Sequence, residues 1–154
     1  MSIQVDVQYG PELTQDDAIP SLDQISTWAH AALAERREVA QLTVRIVGNE
    51  EGTALNETYR HKQGPTNVLS FAVEDADLLP VPLLGDIVIC APVVEREALE
   101  QHKEALAHWA HMVVHGVLHL LGYDHVDEQE AQAMETLEAD IMARLGFSDP
   151  YQPS

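Results

Sequence analysis

At 154 residues the chain fits one domain with room for a proper core, and its 45% apolar and 22% charged residues are those of a globular protein. The charge balance is unusual: 26 acidic residues against 8 basic ones give −18. Such a surface excludes sequence-blind coating of RNA or DNA and suits a protein that works beside cations. Cys90 is the only cysteine, so no intrachain disulfide forms and a reducing, cytoplasmic setting is expected. The start of the chain lacks a basic segment followed by a long apolar run, so no signal peptide is expected. No stretch approaches the length of a transmembrane helix.

Ile3 to Tyr9 alternates apolar and polar residues and predicts a half-buried strand. From Ser21 or Leu22 to about Arg37, Leu22, Ile25, Trp28, Ala29, Ala32 and Leu33 recur at helical spacing, with Ser21 and Gln24 placed for a capping box. Gln41 to Val47 alternates again as a second strand, and Asn49 is the expected cap of a helix through Arg60. Gly64-Pro65 makes a turn, 67–73 a third strand, and 74–82 an exposed acidic loop. Leu83 to Cys90 gives a fourth strand, and Pro92 sits in the first turn of a helix reaching about His102. Ala105 to Leu121 is apolar almost all round and therefore central. Asp127 to Arg144 is a last amphipathic helix, with Ala131, Met134, Leu137, Ile141 and Leu145 inside, and 148–154 is expected as a tail. Four strands and about five helices, out of strict alternation, predict an α+β fold: one domain over 1–154, with a mixed sheet and helices packed on it.

The chemistry concentrates in the central helix. His115 and His119 lie one turn apart on one face, so both imidazoles can reach one ion. Gly122 is a natural helix stop, after which the chain can fold back and offer His125. Three neutral nitrogens with one open position form the ligand set of a catalytic zinc rather than a structural one. A divalent ion held there would lower the pKa of its water from about 15.7 toward 7. One such ion per chain is expected, zinc first, although three imidazoles also accept nickel, copper or iron. His108 and His111 share the helical face of the pair, and His111 is the candidate to line a substrate cleft. Asp124 and Asp127 are close enough in sequence to accept from the ligands' outer nitrogens, with turn and capping roles as the ordinary alternative.

The run His115-Gly-Val-Leu-His119-Leu-Leu-Gly-Tyr-Asp-His125 resembles the metal signature of the YbeY family of ribosome-maturation endoribonucleases. Two further blocks agree in order: Leu55-Asn-Glu-Thr-Tyr-Arg60 with Thr66-Asn-Val-Leu-Ser-Phe71, and Gly85-Asp-Ile-Val-Ile-Cys90. The match runs from about residue 40 to 146, and the first 40 residues are less distinctive. The resemblance implies a compact α+β domain, a zinc-like ion held by the three histidines, and a needed arginine that maps onto Arg60. It also implies single-strand-preferring cleavage of RNA in maturing the 3′ end of small-subunit ribosomal RNA, and in ribosome quality control.

Phosphodiester hydrolysis asks for a hydroxide and a cation that stabilises charge developing on phosphate. Arg60 supplies a planar fork suited to phosphate oxygens, although a helix C-terminus also favours an arginine on its own account. Lys62 is the candidate for a second phosphate, with a solvated loop as its alternative. Asn67, Asp86 and Cys90 are expected to be structural. Metzincin proteases share the zinc spacing but carry a glutamate base directly after the first histidine, where this chain has Gly116. A metalloprotease-like hydrolase and a non-catalytic, metal-stabilised assembly factor are the competing readings. The expected partners are ribosomal RNA on the small subunit or whole ribosome and a basic ribosomal protein or assembly factor, with neither DNA nor membrane.

Overall fold

The computed structural model describes residues 2–14, 19–34, 36–73, 83–124 and 126–151. The expected acidic loop at 74–82, His125 and residues 152–154 lie outside them. Alternation places Ser2–Tyr9 (β1) and Val39–Val47 (β2) in strands, and Ala40, Leu42, Val44 and Ile46 bury one face of β2. Between them runs Leu22–Leu33 (α1), opened by the expected capping box: Ser21 Oγ accepts the Gln24 amide at 3.2 Å, and the Gln24 side chain accepts the Ser21 amide at 2.9 Å. The helix ends at Leu33 rather than near Arg37. Arg36 and Arg37 both turn their amides back onto the Leu33 carbonyl, at 2.8 and 2.9 Å, as the chain swings toward β2.

Asn49–Arg60 forms α2, and Gly48, not Asn49, occupies its N-cap. The reason is tertiary: the Glu12 carboxylate accepts the Glu50 and Glu51 amides at 3.0 and 2.8 Å, which is the work of a capping side chain. Val68–Ala72 (β3) and Leu83–Cys90 (β4) complete a mixed sheet of order β1-β2-β4-β3. β1 with β2 and β2 with β4 are parallel, and β3 runs antiparallel to β4. The apolar run Ile87-Val88-Ile89-Cys90 that ends β4 has its reason in burial on both faces. Ile87 and Ile89 join the main core with α1, while Val88 and Cys90 pack with Val47, Leu69, Val93 and Leu55 of α2.

Ala91–Glu100 (α3) follows β4 directly, with Pro92 in its first turn. Ala105–Leu120 (α4) packs against α1, α3, β3 and β4, and against Glu128–Arg144 (α5). Trp109, Val113, Val114, Val117 and Leu118 of α4 are buried to 1% exposure or less, each such side chain contributing about 1.5–3 kcal/mol of apolar burial. Gly116 lets α4 reach the sheet: a Cβ there would stand 2.8 Å from Ile87 Cγ2, a stiff and fully buried neighbour. The helix stops as its sequence suggests. Gly122 takes φ +101°, its amide meets the His119 carbonyl at 3.0 Å and the Tyr123 amide meets the Leu118 carbonyl at 3.0 Å, a Schellman closure. The expected α+β architecture is the observed one, with five helices on a four-stranded mixed sheet among the described residues. No helix there is long and apolar enough to cross a membrane.

Candidate active site

The largely buried α4 carries four histidines, and three of the imidazoles find a partner on a neighbouring element. His108 turns to α3, its Nε2 2.9 Å from Glu97 Oε1. His111 and His115 both turn to Glu138 of α5. His111 Nε2 lies 2.7 Å from Oε2, and His115 Nδ1 lies 2.6 Å from Oε1. The Tyr151 hydroxyl donates to Oε2 as well, and its ring stands edge-on to His111 at 5.3 Å between centroids. Tyr151 falls within the stretch 148–154 expected as a tail, and these contacts hold it against α4 and α5.

Glu138 is fully buried. Burial alone would raise its carboxyl, but the hydrogen bonds from His111 and His115, the His115 charge and the Tyr151 hydroxyl outweigh that and hold it at about 2. Burial, and after it the same carboxylate, pushes the Tyr151 phenol far above its ordinary range. His111 is buried as well, and it faces this network rather than the cleft that contains Arg60. Asp127 caps α5 by accepting the Glu130 amide at 2.8 Å, the ordinary role foreseen for it. The acceptor for the outer nitrogen of His115 is Glu138.

With Nδ1 committed to Glu138, His115 presents Nε2 to His119, and the two Nε2 atoms are 3.1 Å apart. Two nitrogens on one tetrahedral zinc, at about 2.0–2.1 Å each, stand about 3.3 Å from one another, so the pair fits shared ligation. His115 thus faces two groups. On its Nδ1 side, His111, His115 and Glu138 offer ligand atoms within 4.8 Å of one another and could hold a metal ion. On its Nε2 side stands His119, six residues before the third histidine of the motif, His125, which lies outside the described residues.

Arg60 and the histidines meet in space. A cleft of about 480 Å³ is lined by Arg60, Lys62, Asn67 and Ser70 together with His115 and His119. Arg60 Nη2 donates to the Ser70 carbonyl at 2.8 Å, and its guanidinium lies 5.4 Å from the Phe71 ring centroid. The Ser70 hydroxyl in turn donates to the Gly116 carbonyl at 3.2 Å, tying β3 to α4 right beside His115. His61, left-handed at φ 57°, ends α2 and turns the chain toward Lys62. Asn67 is structural as expected, its amide nitrogen 3.1 Å from Glu97. Cys90 is buried, and burial raises its thiol pKa.

Sequence reasoning passed over Glu138 and Tyr151. For Glu138 a signal was present: it stands four residues after Met134 and three before Ile141, on the buried stripe of α5. An acid on such a stripe needs a partner. Tyr151 follows the last helix and gave none.

The family model of endoribonuclease YbeY matches residues 12–146. The chain belongs to the YbeY family. Membership implies an endoribonuclease role in ribosomal RNA processing. The solution structure of TM1509 from Thermotoga maritima is similar at 22% identity, with a TM-score of 0.61 over 96% of this chain and 99% of that one. At that identity the likeness supports the fold alone.

Proposed function

We propose that the chain is a metal-dependent endoribonuclease that cuts single-stranded RNA at the 3′ end of small-subunit ribosomal RNA and acts in ribosome quality control. The observation that carries this reading is the shared cleft, in which Arg60 and Lys62 face His115 and His119. His115, His119 and His125 are the proposed ligands of one divalent ion, zinc first. When bound, that ion supplies Lewis acidity for phosphodiester hydrolysis. Glu138 keeps the His115 proton on Nδ1 and leaves Nε2 for ligation. The Glu138 carboxylate already accepts from His111, His115 and the Tyr151 hydroxyl, which favours the Nε2 side for the ion.

Arg60 stabilises the charge that develops on the scissile phosphate. Its Ser70 anchor and the Phe71 face fix the guanidinium and leave its other N–H groups for phosphate oxygens. Lys62 holds a neighbouring phosphate in the same cleft. Proteolysis is disfavoured because Gly116 is pressed onto Ile87, where a general-base glutamate has no room. A surface at −18 approaches RNA poorly, so the enzyme acts on a cytoplasmic ribosomal particle, docked through a basic ribosomal protein or assembly factor. Metal analysis and cleavage of a ribosomal RNA precursor, run on wild type, His115→Ala and Arg60→Glu, test the assignment. His115→Ala should lose both metal and cleavage, while Arg60→Glu keeps the metal and loses cleavage. Retained metal in His115→Ala would sink the ligand assignment, and full function of Arg60→Glu would favour the assembly factor.

A further inference from the structure

Eight basic residues in this chain face 26 acidic ones, so a cation left without an acid is informative. Arg45 is held by Glu51 at 2.6 Å, Arg96 by Glu100 at 3.8 Å and Arg144 by Asp140 at 3.0 Å. Lys103 is spent on the Pro150 carbonyl at 2.9 Å. Among the described residues the remaining four make no ion pair, and they form two pairs in two clefts. Arg60 and Lys62 share the cleft with His115 and His119. Arg36 and Arg37 line a second cleft, of about 200 Å³, with Leu121, Gly122 and Tyr123.

These clefts lie on two flanks of the C-terminal end of α4. The order β1-β2-β4-β3 puts β3, which carries Ser70 and contacts α4, at one edge of the sheet. α1, whose end leads into Arg36 and Arg37, packs on β1 at the other edge and on α4. The turn after His119 therefore stands between the two cationic pairs.

We propose that Arg36, Arg37 and Tyr123 form a second contact site for single-stranded RNA, so that the strand crosses the end of α4 with a phosphate gripped on each flank. This rests on the reading of the chain as an RNA-cutting enzyme. Each arginine uses one N–H on a local carbonyl: Arg36 Nη1 donates to Ala32 at 3.2 Å, and Arg37 Nη1 donates to the Arg36 carbonyl at 3.1 Å. That steadies the guanidinium and leaves several of its five donors for phosphate oxygens. Tyr123, 38% exposed in the same cleft, offers a ring on which a base can stack. A backbone-tracking cation beside an aromatic face is how sequence-tolerant single-strand sites are built. A helix C-terminus also attracts arginines through its dipole, but the dipole calls for no exposed aromatic in the same cleft.

The test measures cleavage kinetics and RNA affinity of the metal-loaded full chain on a single-stranded RNA long enough to span both clefts and on one too short to do so. Arg36→Glu with Arg37→Glu should raise KM on the long RNA about tenfold or more, the size of one or two lost charge-assisted hydrogen bonds, with kcat held. The slope of log affinity against log salt should fall by about 0.7 for each phosphate contact removed. Kinetics on the short RNA should not change. Arg96→Glu with Arg144→Glu alters net charge equally at two ion-paired positions and should have a much smaller effect. An unchanged KM and salt slope in the first variant, or an equal loss in the second, overturns the site. If wild type cuts neither RNA even with the enzyme in large excess, where weak approach is overcome, the enzymatic reading itself fails and this site falls with it.

Discussion

Replacing Glu138 by glutamine changes one atom and should move the proton on a neighbouring ring. In wild type the carboxylate accepts on both sides, from His115 at 2.6 Å and from His111 at 2.7 Å with the Tyr151 hydroxyl beside it. An amide has one oxygen. The side with two donors should take it, which turns the NH₂ toward His115 Nδ1. That ring must then carry its proton on Nε2, pointing at His119 Nε2 only 3.1 Å away. Losing an outer carboxylate of this kind costs about 10–100-fold in metal affinity, or about 1.4–2.7 kcal/mol. The altered donors of a fully buried site should cost the fold about 1–3 kcal/mol as well. Nitrogen-15 NMR of the imidazoles in metal-free protein reads the tautomer, and competition with a chelator reads the zinc affinity. A His115 that keeps its Nδ1 proton in E138Q, with wild-type affinity for zinc, would refute the assignment of Glu138 and of His115 Nε2 as the ligating atom.

Three further outcomes are expected. Arg60→Ala should lower kcat for RNA cleavage by about 10²–10³-fold, as loss of a group that stabilises transition-state charge does, and Arg60→Lys should not restore it because a point charge lacks the fork held on Ser70. Single-turnover cleavage checks both, and near-wild-type rates in either would remove Arg60 from the chemistry. Gly116→Ala should destabilise by about 1–3 kcal/mol despite alanine's better helix propensity, because its Cβ meets Ile87 Cγ2 at 2.8 Å; an unchanged or raised Tm would show that α4 has slack against β4. Acid should weaken the fold in two stages. Burial lowers the His108 imidazole more than the Glu97 hydrogen bond and charge raise it, so the unfolded chain binds more protons and its stabilisation falls as pH drops below about 6.5. Glu138, held at about 2 in the fold, contributes fully above about 4.5 and loses that contribution between there and its folded value. Thermal unfolding of wild type and His108→Gln against pH tests the first stage, and a difference between them that stays flat from neutral pH into the acid range would contradict it.

Much of this molecule is written in local pattern. Period-two alternation located β1 and β2, the capping box opened α1, and the second half of β4 read from the apolar run 87–90, whose cause is burial on both faces. Those features depend on near neighbours in the chain, which a sequence displays. The α2 cap did not follow, because Glu12 reaches it from a distant segment. Nor did the end of α1, where the approach to β2 cuts short a pattern that could have continued.

The candidate site divides the same way. Helical spacing alone brings His115 and His119 to one face, and glycine's freedom at positive φ fixes the stop at Gly122. Arg60 and Lys62 were picked out as phosphate groups by chemistry and resemblance, but only the placement of β3 beside α4, tied by Ser70 to the Gly116 carbonyl, brings them to the histidines. Glu138 lay in plain view on a buried stripe, yet what it accepts depends on how α5 crosses α4. Gly116 has two meanings: the sequence shows a missing base, and the fold shows a helix pressed onto Ile87. The chain's own order determined its elements and its ligand chemistry. Which cations, carboxylates and histidines meet was decided by packing between segments far apart in sequence, because no local rule encodes that distance.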